Sequence, residues 1–259
     1  MDASIRHAVA ALTRGSDADL QFDLAAERIQ RALLEVVVPQ LDGVEIGVRA
    51  EAARLVGGDT IDVFPSGDKL VFAMGDASGK SLAAAMTALM LRYLVRGLLR
   101  ALGTESLPLV MNHVNGVVSE DLDDGTFITF LLGVYEANRG VLRFVNAGHE
   151  PPLVLRREAQ RLETFDTHGV VLGVQQGAPY PEGSCRLGPG DQVVLYTDGL
   201  TEATNERGEL YTLARLEENL LALRDRPAQE VADAVFDTVC AYAAGTMRDD
   251  ATILVLCAR

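Results

Sequence analysis

Leu70-Val-Phe-Ala-Met-Gly-Asp-Ala-Ser-Gly-Lys-Ser81 is the stretch on which the fold turns. A short apolar run over 70–74 stops at Gly75-Asp76, and apolar residues at helical spacing begin after Ser81. The reading is a strand, a tight acidic turn and a long helix over 83–102. Upstream, 44–48 and 61–64 read as strands, with a turn at Pro65-Ser66-Gly67-Asp68 before the 70–74 run. Downstream, a second helix is expected over 107–122, then strands over 127–135, 141–145 and 153–155. A further strand is expected over 193–196, helices over 213–223 and 228–244, and a final strand over 251–257. Strands, two helices, a run of hairpin-linked strands, two helices and a strand do not alternate as βαβ units do. The order predicts an α+β architecture with mostly antiparallel sheets.

The chain has 259 residues, 48% hydrophobic and 23% charged, which fits a soluble globular protein and excludes a disordered one. Its formal net charge of −14 gives no general attraction for phosphate backbones or anionic lipid, so nucleic acid is not an expected partner. The 83–102 helix carries Arg92, Arg96 and Arg100 and makes a poor membrane span. The first residues do not read as a signal peptide. Cys185, Cys240 and Cys257 are far apart with no CxxC pair, which argues for packed thiols in a reduced cytoplasmic protein. Residues 1–42 read as a separate helical segment. Ser16 or Asp17 is the candidate cap, and Leu20, Leu24, Ile29, Leu33 and Val36 form its apolar stripe. That stripe is a candidate for docking on the domain, for binding an upstream regulator or for a homodimer seam. Residues 43–259 read as one domain.

Acidic residues stand where strands begin or end: Gly57-Gly58-Asp59, Gly75-Asp76, Asp198-Gly199 and Asp249-Asp250. Each alone is a common turn sequence. If the strand ends converge, several carboxylates share one space. Two like charges about 4 Å apart cost roughly 4 kcal/mol at an effective dielectric near 20. Such a cluster either protonates or binds hard cations, Mg²⁺ or Mn²⁺ rather than Zn²⁺. A competing motif overlaps it. Gly75-Asp-Ala-Ser-Gly-Lys-Ser81 follows a strand and opens a helix as a P-loop does, but three residues separate its glycines where a P-loop has four.

The ordered motifs start with Ala26-Glu-Arg-Ile-Gln-Arg-Ala-Leu-Leu34, Val56-Gly-Gly-Asp-Thr-Ile-Asp-Val-Phe64 and Gly75-Asp-Ala-Ser-Gly-Lys80. Phe127-Ile-Thr129, Val145-Asn-Ala-Gly-His-Glu-Pro-Pro152, Leu172-Gly173 and Gly190-Asp191 follow. Leu195-Tyr-Thr-Asp-Gly199 with Thr201-Glu202, and Asp249-Asp-Ala-Thr252, complete the set. Taken in order, these segments resemble the SpoIIE/RsbU-type bacterial serine phosphatases of the metal-dependent protein phosphatase 2C superfamily. The resemblance implies an αββα sandwich with two Mn²⁺ or Mg²⁺ ions at one end. It implies that Asp76 bridges both ions, that the Ala77 carbonyl helps hold one, that Asp198 and Asp249 hold the other, and that Asp59 completes the cluster. The implied reaction is in-line attack on phosphorus by a water that the two metals activate, with Asp76, Asp198 and Asp249 as its catalytic carboxylates. The implied substrate is a phosphorylated anti-anti-sigma (STAS) protein.

Other residues divide between roles. His149 offers itself as an acid or base, or as a packing residue. Asp62 is left outside the ligand set, Lys80 stands where it could orient the acidic turn, and Arg54 lies near it in sequence. The Met86/Met90/Leu94 stripe reads as core. Two other functions stay open at this point: a phosphatase-like scaffold without turnover, and a P-loop-like nucleotide hydrolase.

Overall fold

The computed structural model describes residues 24–26, 28–53, 56–79, 81–122, 125–165, 167 and 169–259. Its ten strands are β1 Val44–Glu51, β2 Asp59–Ser66, β3 Lys69–Ala77, β4 Ile128–Glu136, β5 Val141–Ala147, β6 Leu153–Arg156, β7 Arg161–Thr164, β8 Glu182–Arg186, β9 Gln192–Tyr196 and β10 Ala251–Ala258. After the helical residues 28–34, the helices are α1 Leu82–Leu102, α2 Leu107–Asp121, α3 Asp198–Thr201, α4 Leu213–Ala222 and α5 Ala228–Tyr242. One sheet runs β1-β10-β9-β6-β7 and the other β2-β3-β4-β5-β8, with every ladder antiparallel. The α+β sandwich with helices outside is therefore as expected.

Strand alternation builds three apolar layers. On β3, Leu70, Phe72 and Met74 face the other sheet, while Val71 and Ala73 face α1 and α2. On β10, Leu254, Leu256 and Ala258 face between the sheets, and Ile253, Val255 and Cys257 face α4 and α5. Gly133 lies opposite Phe72 in the ladder, where a Cβ would come within 2.1 Å of the Phe72 ring, so the ring occupies the place of a side chain there.

Ser81 caps α1 by accepting from the Ala84 amide, and Gly103 at φ +74 closes it. By length and composition α1 is apolar enough to cross a membrane. Here its Ala84, Ala85, Ala88, Leu91, Val95 and Leu99 face is buried over the second sheet. Met86 and Met90 are exposed, which corrects their reading as core. The alanine face is the one that lets the helix lie close to the strands. Arg92 and Arg96 reach down from α1 to Asp62 of β2, Arg96 with both carboxylate oxygens at 2.6 Å. Residues 28–34 are helical, and Ala26 and Leu33 are fully buried in the layer beneath α1 and α2. Leu20, Ser16, Asp17 and the residues before them lie outside the described residues, as do Arg54 and Lys80.

Three elements differ from expectation. β7 and β8 were not expected, and residues 198–201 form a short helix where only a turn was read.

Candidate active site

The inter-sheet layer turns polar at one end. Counting by twos from its apolar residues, Ile61 leads to Asp59 and Met74 to Asp76 in one sheet. In the other, Leu195 leads to Thr197 and Leu254 to Thr252. Asp59 and Asp76 are paired across the β2–β3 ladder. Oδ2 of Asp59 accepts hydrogen bonds from Thr197 Oγ1 at 2.8 Å and Thr252 Oγ1 at 2.7 Å. Burial pushes the Asp59 carboxyl well above the usual carboxylate range, and the charges of Asp76 and Asp250 push the same way. The two hydroxyl bonds offset part of this.

Asp76 and Ala77 are the last two residues of β3, and the Ala77 amide donates to the Gly58 carbonyl at 3.1 Å. A Cβ on Gly58 would lie 2.3 Å from the Ala77 oxygen and 2.5 Å from Asp76 Oδ1. The glycine therefore keeps open the space these two oxygens border. Ser78 and Phe127 close the turn, with the Ser78 amide donating to the Phe127 carbonyl and the Phe127 amide to Ser78 Oγ.

From the other sheet, Asp198 opens α3 and Asp249 precedes β10. The Asp198 carboxyl is raised by burial first, then by the charges of Asp249, Glu202 and Glu150. The adjacent Asp250 turns the other way. Its Oδ1 accepts from the Ala53 amide at 2.9 Å, and a Cβ on Gly57 would lie 1.4 Å from its Oδ2. Asp250 thus anchors the loop that leads into Asp59, and Gln30 holds the same loop by accepting from the Gly57 amide at 2.6 Å. Burial raises the Asp250 carboxyl, while the amides of Ala53, Asp59 and Gly58 favour its charge.

All five residues singled out in the sequence thus sit at one end of the sandwich, as Asp59 and Asp76 with Ala77, and Asp198 with Asp249. Among the described residues, no group of three or more His, Cys, Asp or Glu side chains is gathered as a ready ligand set. The donors nevertheless fit hard divalent cations. They are carboxylates and a backbone carbonyl, two of the carboxyls are raised by burial, and Gly58 leaves open space beside two of the donors.

Sequence reasoning assigned no role to Thr197, Thr252, Glu150 and Glu202, although all lie in the quoted motifs. Tyr196 donates to Glu150 Oε2 at 3.3 Å, which sets that carboxylate beside Asp198. Asp62, left outside the ligand set, points to the helix side of β2 and is paired with the two arginines. His149 is buried. Its Nδ1 meets Thr129 Oγ1 at 2.9 Å, and Asn146 clasps its backbone through two hydrogen bonds. Burial brings its pKa down to about 4, with the Tyr196 backbone opposing, so the ring is neutral. That fits packing and hydrogen bonding rather than proton transfer. The P-loop alternative fails on geometry: β3 pairs antiparallel on both sides, and carbonyl and carboxylate oxygens line the loop where a phosphate cradle has amide donors.

The fold and this acidic end define the protein phosphatase 2C class. The SiaA-PP2C domain of Pseudomonas aeruginosa superposes with a TM-score of 0.80 at 22% identity, over 96% of this chain and 99% of that one. The RsbU and RsbW domains of Rv1364c from Mycobacterium tuberculosis match with a TM-score of 0.76 at 25% identity, over 89% of this chain and 63% of that one. This chain therefore spans under two thirds of the second structure. Phosphoserine phosphatase RsbU of Bacillus subtilis (strain 168) is 28% identical over 254 residues, 94% of this chain and 72% of that protein. The family described as stage II sporulation protein E (SpoIIE) matches residues 66–259. The chain belongs to the SpoIIE family of PP2C-type serine/threonine protein phosphatases.

Proposed function

We propose that this chain hydrolyses phosphoserine or phosphothreonine on a regulatory protein, a phosphorylated anti-anti-sigma (STAS) factor, at a two-cation centre of Mn²⁺ or Mg²⁺. The observation that carries the reading is that two carboxylate pairs, Asp59 with Asp76 on one sheet and Asp198 with Asp249 beside the strands of the other, lie at the same end of the sandwich. Asp76 would serve both cations, the Ala77 carbonyl one of them, and Asp198 with Asp249 the other, with Asp59 completing the cluster. Bound there, the cations would supply Lewis acidity to a water and to the phosphoryl oxygens.

The chain's own part is positioning. Gly58 leaves the space beside Asp76 and Ala77 open, and Asp250 and Gln30 fix the loop before Asp59. No side chain need become phosphorylated. The phosphoserine chemistry of RsbU, 28% identical over most of this chain, supports the substrate class. A STAS substrate implies the cytoplasm.

The test is phosphate release from a phosphoserine STAS protein with Mn²⁺, Mg²⁺ or EDTA, beside Asp76→Asn. Metal-dependent release that disappears in the variant is expected. A folded protein that binds the phosphoprotein yet releases nothing with either metal would overturn turnover and leave a scaffold.

A further inference from the structure

Thr197 and Thr252 come from β9–α3 and β10, whereas Asp59 comes from β2 in the other sheet. Both hydroxyls donate to the same atom, Asp59 Oδ2, at 2.8 and 2.7 Å. Both side chains are buried, Thr197 at 1% exposure and Thr252 at 0%. The two threonines also lock to each other. The Thr197 amide donates to the Thr252 carbonyl at 3.0 Å, and the Thr252 amide donates to Thr197 Oγ1 at 3.0 Å.

Thr197 occupies the N-cap position of α3, where a threonine hydroxyl ordinarily accepts from an amide of the first turn. Here it makes no cap bond and is committed to Asp59 and Thr252 instead. A hydroxyl withheld from its local partner and aimed across the sandwich indicates a tertiary role.

We infer that Thr197 and Thr252 are positioning residues: by gripping Oδ2 of Asp59 they tie the sheet bearing Asp59 and Asp76 to the sheet bearing Asp198 and Asp249. The bridge sets the spacing of the two carboxylate pairs for a divalent cation pair. Both hydroxyls take Oδ2, so neither occupies Oδ1 of Asp59. Thr197 is one residue from Asp198, and Thr252 is three from Asp249, so a shift of either threonine moves the carboxylate beside it. This inference rests on the metal-centre reading above and extends it to residues outside the ligand set.

The test reads metal binding directly. Mn²⁺ is titrated into the full chain and free Mn²⁺ is followed by its electron paramagnetic resonance signal, so no turnover is needed. Thr252→Val, close in shape but without the hydroxyl, is expected to weaken Mn²⁺ binding about tenfold or more, the size of losing one hydrogen bond to a charged group. Thr252→Ser keeps the hydroxyl and is expected to stay within about threefold of wild type. In an Asp59→Asn background the Thr252→Val step is expected to shrink to under about twofold, because its partner charge is gone.

Unchanged binding by Thr252→Val would overturn the inference, as would an equal loss with and without the Asp59 carboxylate. Should Thr252→Val fail to fold by circular dichroism, Thr197→Val is read by the same criteria. A tenfold loss in folded Thr252→Ser would overturn the inference too. If the wild-type chain binds no Mn²⁺, the metal-centre reading falls and this inference with it; wild-type binding that survives Thr252→Val sinks this inference alone.

Discussion

Acidifying the metal-free protein should expose the neutral state of His149. In the fold its pKa is brought down to about 4 by burial, against an ordinary value of 6.5. A base whose folded pKa lies below its unfolded value takes up protons preferentially in the unfolded chain. Its stabilising contribution is full above pH 6.5 and is lost as pH falls from 6.5 toward about 4. Integrated from about pH 7.5 to about pH 5, the loss comes to about 2 kcal/mol. Asp59, Asp198 and Asp250 act with the opposite sign. Their folded values are raised, so stability rises as pH falls through those values toward the ordinary 3.8. A simple pH profile therefore mixes the two effects, and a difference measurement separates them. His149→Gln removes the imidazole, leaves the three carboxylates, and offers an amide to Thr129. Urea unfolding of both proteins in EDTA should show wild type the more stable at about pH 7.5, with that margin narrowing by about 2 kcal/mol at about pH 5. A margin constant to within about 0.5 kcal/mol would refute the buried neutral imidazole.

Three further outcomes follow from the same geometry. Gly58→Ala puts a methyl 2.3 Å from the Ala77 oxygen and 2.5 Å from Asp76 Oδ1, so phosphate release and Mn²⁺ affinity should both fall at least about tenfold, read by activity and metal titration. Arg96→Ala leaves the buried Asp62 carboxylate with Arg92 alone and should cost about 3 kcal/mol in urea unfolding, with Asp62→Asn/Arg96→Ala recovering part of it. Mn²⁺ at about a hundred times its dissociation constant should raise unfolding stability by about 2.7 kcal/mol, a gain that Asp76→Asn abolishes.

How far the sequence reaches is clearest at the edges and at the acidic end. The strands it revealed, such as 70–74 and 193–196, are apolar on both faces because both faces are covered, one by the opposite sheet and one by helices. β7 and β8 escaped because each is an edge strand with polar residues on most positions, Arg-Leu-Glu-Thr over 161–164 and Glu-Gly-Ser-Cys-Arg over 182–186. The α1 stripe failed for a different reason. Met86 and Met90 are more hydrophobic than the alanines that are buried, but a helix laid against a sheet is brought closest by small residues.

At the acidic end, the Asp249-Asp250 doublet is symmetric in sequence, and only the fold shows Asp250 committed to the Ala53 amide. The threonines are the more instructive case. Strand parity already puts Asp59 in phase with Ile61, Asp76 with Met74, Thr197 with Leu195 and Thr252 with Leu254. The missing fact is that these four phases belong to two sheets packed face to face. No local pattern encodes that pairing. Once it is given, two hydroxyls and two carboxylates must share the end of one buried layer, where every polar atom needs a partner. The hydroxyls can donate and an ionised carboxylate can only accept, so Asp59 becomes the common acceptor. Negative charge still gathers at that end, where burial and neighbouring carboxylates raise the Asp59 and Asp198 carboxyls, and a divalent cation would relieve that repulsion.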